Sequence, residues 1–309
     1  MRRGKGSVVR GVLLVAALSV VAAACAAPRP ADAPAPPTTV APTVIPAPAG
    51  LSAIPRPAGA TARAHGEWYW APAPGGRIVT LSVYRPEVFA LDMASPRPAV
   101  LILNGGDGFR RLYEDLAQRY AAQGFIAIAG CWFQADGPPP NSDEINCQQG
   151  PTWKGMNTSS VADLDALVAA VHQIPGVDPT RIAIAGHSYG AGVALLRAAA
   201  GHDEPVVASS GFVARSPLGT AIPLPTDQFA TDQAAAIHAP VLIVHAATSV
   251  DYITPPGQAQ ALASALAAAG HPATTTYFPS PAGHAFPWQA PFDVQYTADA
   301  AQWIYQQLH

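Results

Sequence analysis

Charged residues are scarce in this sequence, and they do not cluster. The 17 lysines and arginines and 20 aspartates and glutamates give a charged fraction of 12% and a formal net charge of -3. Binding to nucleic-acid phosphates needs clustered basic side chains, so this pattern excludes a nucleic-acid partner. Half of the 309 residues are hydrophobic, which is enough for one large domain with a substantial core.

The sequence also lacks an apolar run long enough for a permanent membrane span. The longest run, "GVLLVAALSVVAAA" at 11–24, is shorter than the roughly 20 residues that a spanning helix needs. Basic residues precede this run and Cys25 follows it. A basic start, a short apolar stretch and small residues at the end are typical of a secretory signal peptide, here residues 1–25. We therefore expect the protein to be exported.

The segment "AAAC" at the end of this signal resembles the lipobox of bacterial lipoproteins. Such sequences usually have leucine where Ala22 stands, so ordinary signal cleavage is the alternative. The resemblance implies that Cys25 carries a diacylglyceryl group and becomes the mature N-terminus. Two acyl chains would anchor the protein stably to the outer face of the membrane.

Residues 26–60 contain many of the 33 prolines and almost no aromatic residues. A segment of this composition cannot bury a core and favours extended, solvated chain. We interpret it as a disordered tether, which leaves residues 61–309 for the folded domain.

Cysteine is rare, with three residues in the chain. Once Cys25 is assigned to the signal, Cys131 and Cys147 remain, and an even remainder in an exported protein predicts a disulfide. The closed loop of about 15 residues would stabilise the fold by roughly 3 kcal/mol. A nucleophilic Cys131 is the weaker alternative. The sequence has no Cys-x-x-Cys pair or Cys/His cluster, so it predicts no metal site.

Strand and helix patterns alternate along the domain. An aromatic, alternating stretch with a turn at Gly75–Gly76 predicts an N-terminal antiparallel hairpin. Continuous apolar runs typical of strands covered on both faces follow at 99–103, 125–130, 181–186, 205–210, 240–246 and 274–278. Helical patterns lie between them, at 110–124, 160–173, 257–270 and 298–309. The sequence therefore predicts an α/β fold with a mainly parallel central sheet and helices on both faces. Residues 211–235 are weakly patterned and form either a small cap or a loop.

The motif "GHSYG" places Ser188 between Gly186 and Gly190, after a strand and before a helical pattern. This is the context of a nucleophile elbow, in which a strained turn exposes the serine hydroxyl above the sheet. The alternative is a tight turn whose serine only caps the helix.

A serine nucleophile needs a base and an acid, which in this order of elements follow late strands. Asp251 is the first carboxylate after the strand at 240–246, and His284 follows the strand at 274–278. His187 and His245 fit a packing role better. Asp203 precedes its strand and should lie at the opposite end of the sheet.

Donors for the tetrahedral oxyanion are expected from the backbone. The N–H of Tyr189, directly after the nucleophile, is one candidate. The other is Gly106, in the loop "NGGDGF" after the first long strand. A phosphate-binding loop is the alternative, but the lysine and Ser/Thr of a P-loop are missing.

These segments together resemble the dienelactone hydrolase family of α/β-hydrolases. The similarity runs from Arg97 to His309 and includes "PAVLILNGGDGF", "IPGVDPTRIAIAGHSYGAGVALL", "APVLIVHAATSVDYITPP" and "SPAGHAFPW". It implies a triad of Ser188, Asp251 and His284 that needs no metal or organic cofactor. Dienelactone hydrolases carry a cysteine where this chain has Ser188, and they lack a leader and tether. These departures favour general carboxylester chemistry through an acyl-enzyme.

Aromatic residues near the predicted site indicate an apolar pocket for a small-molecule ester. They are Trp132, Phe133, Tyr189, Tyr252, Phe286 and Trp288, and each fits an ordinary core position equally well. Two alternatives to an esterase stay open. One is a serine peptidase of the prolyl-oligopeptidase type, and the other is a non-catalytic surface-binding lipoprotein.

Overall fold

A computed structural model describes residues 49–53, 66–87, 95–109, 111–132, 158–215, 228–247 and 251–309. All of them belong to the second of two compact units, Pro46–His309. The predicted signal peptide with Cys25, and also Phe133 and Cys147, lie outside the described residues. The predictions made for them, including the disulfide to Cys131, therefore stay predictions.

The described residues form a nine-stranded sheet. Its strands are β1 (Ser52–Ala53), β2 (Glu67–Pro72), β3 (Ile78–Tyr84), β4 (Arg97–Leu103), β5 (Ile126–Cys131), β6 (Val177–His187), β7 (Val206–Ser209), β8 (Val241–Ala246) and β9 (Thr274–Phe278). Their order across the sheet is β1-β2-β3-β5-β4-β6-β7-β8-β9.

The sheet is antiparallel at one edge and parallel elsewhere. β1 pairs with β2, β2 with β3 and β3 with β5 in antiparallel register. All pairs from β5 to β9 are parallel. The predicted hairpin is β2–β3, and its turn contains Gly75 and Gly76 at φ of 73° and 75°. The predicted fold class is therefore confirmed.

Helices cover both faces of the sheet because each central strand is apolar on both sides. The helices are α1 (Arg111–Ala122), α2 (Thr158–Val171), α3 (Tyr189–Ala199), α4 (Gly257–Ala268) and α5 (Phe292–Gln307). On β4, Leu101 and Leu103 pack in one core with α2, α3 and α4. Val100 and Ile102 pack in the other core with α1 and α5. Because these strands are parallel, their carboxyl ends lie at one common edge of the sheet, between the two helical layers.

Two predicted boundaries were wrong. The tether of residues 26–60 extends too far, because Leu51 is buried in the core and Ser52–Ala53 pair with Trp70 and Tyr69. This short stretch without proline can both bury a side chain and donate to the sheet. The last helix begins at Phe292 rather than 298, directly after Pro291, which cannot donate an N–H within a preceding helical turn.

The part of the weakly patterned segment that the structure describes includes a 3-10 helix at Ala230–Ala236. Residues 216–227 lie outside the described part of the chain, so the choice between cap and loop stays open. Among the described residues, no helix has both the length and the apolar character needed to cross a membrane.

Candidate active site

Ser188 occupies the sharp turn between β6 and α3. Its φ of 55° and ψ of -115° lie in a region that residues with a side chain rarely adopt. Ser188 N–H donates to Ser209 O of the neighbouring strand, and Ser188 O accepts from Phe212 N–H. The hydroxyl makes no capping hydrogen bond to α3. The turn therefore carries backbone strain at Ser188 without using its hydroxyl as a helix cap.

The two glycines of "GHSYG" are required by close backbone packing. A β-carbon on Gly186 would lie 2.4 Å from the carbonyl group of Gly190. A β-carbon on Gly190 would lie 2.6 Å from Leu103 O and 2.7 Å from Asn104 O. These are backbone atoms that cannot rotate away, so the sharp turn needs glycine at both positions.

Asp251 and His284 lie together beyond the carboxyl ends of β8 and β9. His284 Nδ1 is 3.1 Å from Asp251 Oδ2, although 33 positions separate the two residues in sequence. The Asp251 side chain is fully buried, and 18% of the His284 side chain is exposed. A buried carboxylate on Nδ1 orients the imidazole and leaves Nε2 for chemistry.

Asp251 is held as a carboxylate by its hydrogen bonds. Burial raises its pKa, but the His284 hydrogen bond and charge, together with the Thr254 N–H and hydroxyl, outweigh burial and lower the pKa to about 2. Oδ1 accepts from the N–H groups of Ile253 and Thr254 at 3.1 and 2.8 Å. Asp251 is therefore ionised at neutral pH, as an orienting acid must be.

The residue before Ser188, His187, contacts the histidine of this pair. His187, next to Ser188 in the chain, has its ring centroid 4.7 Å from that of His284. β6, β8 and β9 are parallel, so Ser188, Asp251 and His284 all follow the carboxyl ends of their strands. The predicted nucleophile and the Asp251–His284 pair thus share one edge of the sheet.

The other histidines and carboxylate considered from the sequence have different surroundings. Burial lowers the pKa of His187 well below 6.5, and it also lowers that of His245. His187 packs edge-on against Trp288, with ring centroids 4.7 Å apart. His245 Nε2 is 4.0 Å from Asp251 Oδ2, which is too long for a hydrogen bond. Asp203 lies between α3 and β7, before its strand.

The predicted oxyanion loop after β4 lies against the serine. A β-carbon on Gly105 would be 3.0 Å from Ser188 Cβ. The Gly105 N–H donates to the Tyr113 hydroxyl at 2.7 Å, and that hydroxyl donates to Asp107 Oδ1 at 2.8 Å. Gly106 follows directly and is half-buried. Tyr113 therefore fixes this loop from α1, and nothing in the sequence pattern identified it.

Tyr189, the other predicted oxyanion residue, begins α3. Its ring is buried and stacks on Phe212 with centroids 4.8 Å apart. Its backbone N–H belongs to the first turn of the helix, where the macrodipole favours negative charge.

The predicted pocket residues separate into core and surface positions. Phe286 is fully buried among Phe278 and Tyr296, so the structure gives it a core position. Trp132 is also fully buried, and its Nε1–H donates to Asn104 O at 2.9 Å. Tyr252 is 77% exposed.

Half-buried aromatic rings lie beside the oxyanion loop. Trp288 packs edge-on against Tyr113, with ring centroids 5.1 Å apart. Phe109 ends the loop and contacts Trp68 of β2 edge-on, with ring centroids 5.7 Å apart. Trp68 and Phe109 were missed from the sequence because they lie on separate elements.

Within the part of the chain that the structure describes, histidines, cysteines and carboxylates form no group of three that could hold a metal ion. The arrangement instead offers a strained serine, a histidine oriented by a carboxylate, and backbone N–H groups at a helix N-terminus. These are the parts needed for nucleophilic attack on an acyl carbon.

Solved structures of an esterase and of a peptidase have a similar fold. Over 80% of its length, the chain matches the solved structure of the propionate-bound esterase Est2 from Thermogutta terrifontis with a TM-score of 0.59, 18% identity and 96% coverage of that chain. It matches dipeptidyl peptidase 4 from Porphyromonas gingivalis with a TM-score of 0.59 and 18% identity, over 78% of this chain and 35% of the peptidase. At these identities the likeness shows the fold. The protein thus has the α/β-hydrolase fold.

The family model of the dienelactone hydrolase family matches residues 87–308. The chain therefore belongs to that family. A relative from Escherichia coli O157:H7, which bears the provisional name carboxymethylenebutenolidase, is 27% identical over 214 residues, covering 69% of this chain and 75% of the relative.

Proposed function

We propose that this protein is a serine hydrolase that cleaves carboxylic esters through an acyl-enzyme. The observation that carries the proposal is the Asp251–His284 hydrogen bond at the sheet edge where Ser188 occupies its strained turn. A buried carboxylate that orients an imidazole, at the same sheet edge as a serine in a strained turn, has the parts of an acyl-transfer site.

In the first step, Ser188 Oγ attacks the acyl carbon while His284 Nε2 takes the hydroxyl proton. The tetrahedral oxyanion is stabilised by the N–H groups of Tyr189 and Gly106. The bond to the alkoxide breaks, and the leaving alcohol takes the proton from His284. In the second step, water loses a proton to His284 and attacks the acyl carbon. The bond from that carbon to Ser188 Oγ breaks, His284 returns the proton to Oγ, and the acid is released.

The substrate class that we propose is a small ester with an apolar or aromatic group. The half-buried rings of Trp68, Phe109 and Trp288 lie beside the oxyanion loop and favour such a group over a charged one. Serine in place of the family's usual cysteine supports general esters rather than a dienelactone.

The test combines turnover with active-site labelling. Purified protein should release p-nitrophenol from short acyl esters and react with a fluorophosphonate probe. Ser188→Ala should abolish labelling and reduce turnover on the order of 10⁶-fold. Release of amine from peptide anilides without ester turnover would identify a peptidase. Folded protein that neither labels nor turns over would overturn the proposal in favour of a binding role.

We further propose that the chain is exported and anchored through Cys25. The basic, apolar and cysteine-ended order of residues 1–25 supports this proposal. Cells fed radioactive palmitate should label the wild-type protein but not Cys25→Ser. Equal labelling of both, or protein retained in the cytoplasm, would contradict it.

A further inference from the structure

Thr254 lies at the centre of the Asp251–His284 contact, and its hydroxyl touches both partners. Thr254 Oγ1 is 2.8 Å from Asp251 Oδ2 and 2.9 Å from His284 Nδ1. With the 3.1 Å distance between Oδ2 and Nδ1, the three polar atoms form a closed triangle. Thr254 is itself fully buried, so bulk water does not compete for these contacts.

The hydrogens of this triangle can be assigned from chemistry. Asp251 is ionised, because its hydrogen bonds lower its pKa to about 2 although burial raises it, and both of its oxygens can only accept. The single hydroxyl hydrogen of Thr254 is donated to Asp251 Oδ2. Oγ1 therefore faces His284 with lone pairs. Asp251 Oδ2 and Thr254 Oγ1 can both only accept a hydrogen bond from His284 Nδ1, so the imidazole hydrogen lies on Nδ1. The lone pair of Nε2 is then free to act as the base.

Thr254 also fixes the acid from its backbone. Its N–H donates to Asp251 Oδ1 at 2.8 Å, while its hydroxyl binds Oδ2. One residue thus holds both oxygens of the carboxylate and prevents the carboxylate plane from rotating away from His284. Thr254 therefore orients Asp251 through its backbone N–H and its hydroxyl, and the same hydroxyl contacts His284.

We propose that Thr254 is a positioning residue of the proposed esterase, whose hydroxyl holds His284 in the tautomer with hydrogen on Nδ1 and locks Asp251 against it. This inference rests on the proposed function. It adds a fourth side chain to Ser188, Asp251 and His284.

Two substitutions separate the hydroxyl from the shape of the side chain. Thr254→Val keeps the volume and the backbone N–H but removes the hydroxyl, and Thr254→Ser keeps the hydroxyl. Loss of a hydrogen bond to a charged group should lower kcat about 10- to 100-fold in Thr254→Val. KM should stay within about threefold, because the hydroxyl faces the triad and not the substrate. Thr254→Ser should recover most of kcat.

A matched control comes from Thr297, another buried threonine, whose hydroxyl donates to Asp293 O within α5. Thr297→Val removes a buried hydroxyl outside the triad and should leave kcat unchanged. A fall in kcat of the same size in both valine variants would show a general packing effect and would overturn the inference.

The closing experiment is a double-mutant cycle with Asp251→Asn, read by ester turnover and by the rate of fluorophosphonate labelling. If Thr254 acts through the acid and the histidine, Thr254→Val should add less than about threefold to the loss already caused by Asp251→Asn. If the wild type is active and the two losses are fully additive, or if Thr254→Val keeps the wild-type kcat, the role of Thr254 is overturned while the proposed function stands. A wild type that neither labels nor turns over would overturn the proposed function, and this inference with it.

Discussion

Gly190 passes so close to Leu103 that a β-carbon on the glycine would lie 2.6 Å from the leucine carbonyl oxygen. Leu103 is the last residue of β4, and Gly190 lies in the first turn of α3. The elbow and the oxyanion loop are therefore packed backbone against backbone. Any displacement of α3 would change the position of Ser188 relative to the loop.

Gly190→Ala should for this reason destabilise the fold by about 3 kcal/mol and abolish activity, because a rigid backbone atom cannot yield to the methyl group. Urea unfolding followed by circular dichroism measures the loss. Gly201→Ala is the control: its β-carbon would meet open space, so its positive φ alone should cost about 1 kcal/mol. Equal losses in the two variants would show that steric contact at Gly190 is unimportant.

The sequence predicts the elements at this edge of the sheet well, because buried parallel strands and glycine-flanked turns leave local patterns. The strands before Ser188 and Asp251 lie where unbroken apolar runs occur. The strand before His284 is the threonine-rich edge strand Thr274–Phe278, which is exposed over most of its length rather than covered on both faces. Thr254 and Tyr113 could not be found in the same way. Thr254 contacts His284 of a distant loop, and Tyr113 of α1 contacts Gly105 of the oxyanion loop. Only the N–H donation from Ile253 and Thr254 to Asp251 is local, and it is a known motif of aspartate side chains.

Phe286 shows the limit of reading a pocket from sequence distance. It lies two residues after His284, but the 3-10 helix Phe286–Trp288 turns its ring into the core and leaves Trp288 half-buried. Trp68, far away in the chain, reaches the oxyanion loop through the antiparallel hairpin. Position after a strand therefore predicts the catalytic loops, whereas closeness in sequence to those loops does not predict which side chains line the pocket.

Asp251→Asn should reduce kcat by about 10⁴-fold with little change in KM. An amide can present either a donor or an acceptor to Nδ1, so it no longer enforces the tautomer with hydrogen on Nδ1. Steady-state kinetics with a p-nitrophenyl ester measures the effect. Asp203→Asn, at a carboxylate outside the proposed triad, is the control and should remain near wild-type activity. A larger loss in Asp203→Asn would reassign the acid.

Phe109→Ala should selectively weaken hydrolysis of esters that carry an aromatic group. Removing one ring of the Trp68–Phe109 pair should raise KM about tenfold for a phenylacetate ester and hardly at all for an acetate ester, with kcat preserved. Tyr305→Ala removes a ring that stacks on Phe125 beside α5 and should leave both KM values unchanged. The same rise in KM for both esters would exclude an aromatic subsite.

His187→Gln should make the stability of the protein less sensitive to acid. Burial, with the charge of His284 and against that of Asp251, lowers the pKa of His187 well below 6.5 in the folded state. Below pH 6.5 the unfolded chain therefore binds a proton that the folded chain does not, so stability falls as the pH falls. Between pH 6.5 and 5 the wild type should therefore lose stability through this group that His187→Gln does not lose.

Urea unfolding at pH 7 and at pH 5 measures that loss in each protein. His245 is also buried with a lowered pKa, so the wild type and the variant share its contribution, and the difference between them isolates His187. His172→Gln replaces an exposed histidine just after α2 and should keep the wild-type loss. If His187→Gln loses as much stability as the wild type over this range, His187 binds its proton in the folded state and the buried ring beside His284 is not neutral.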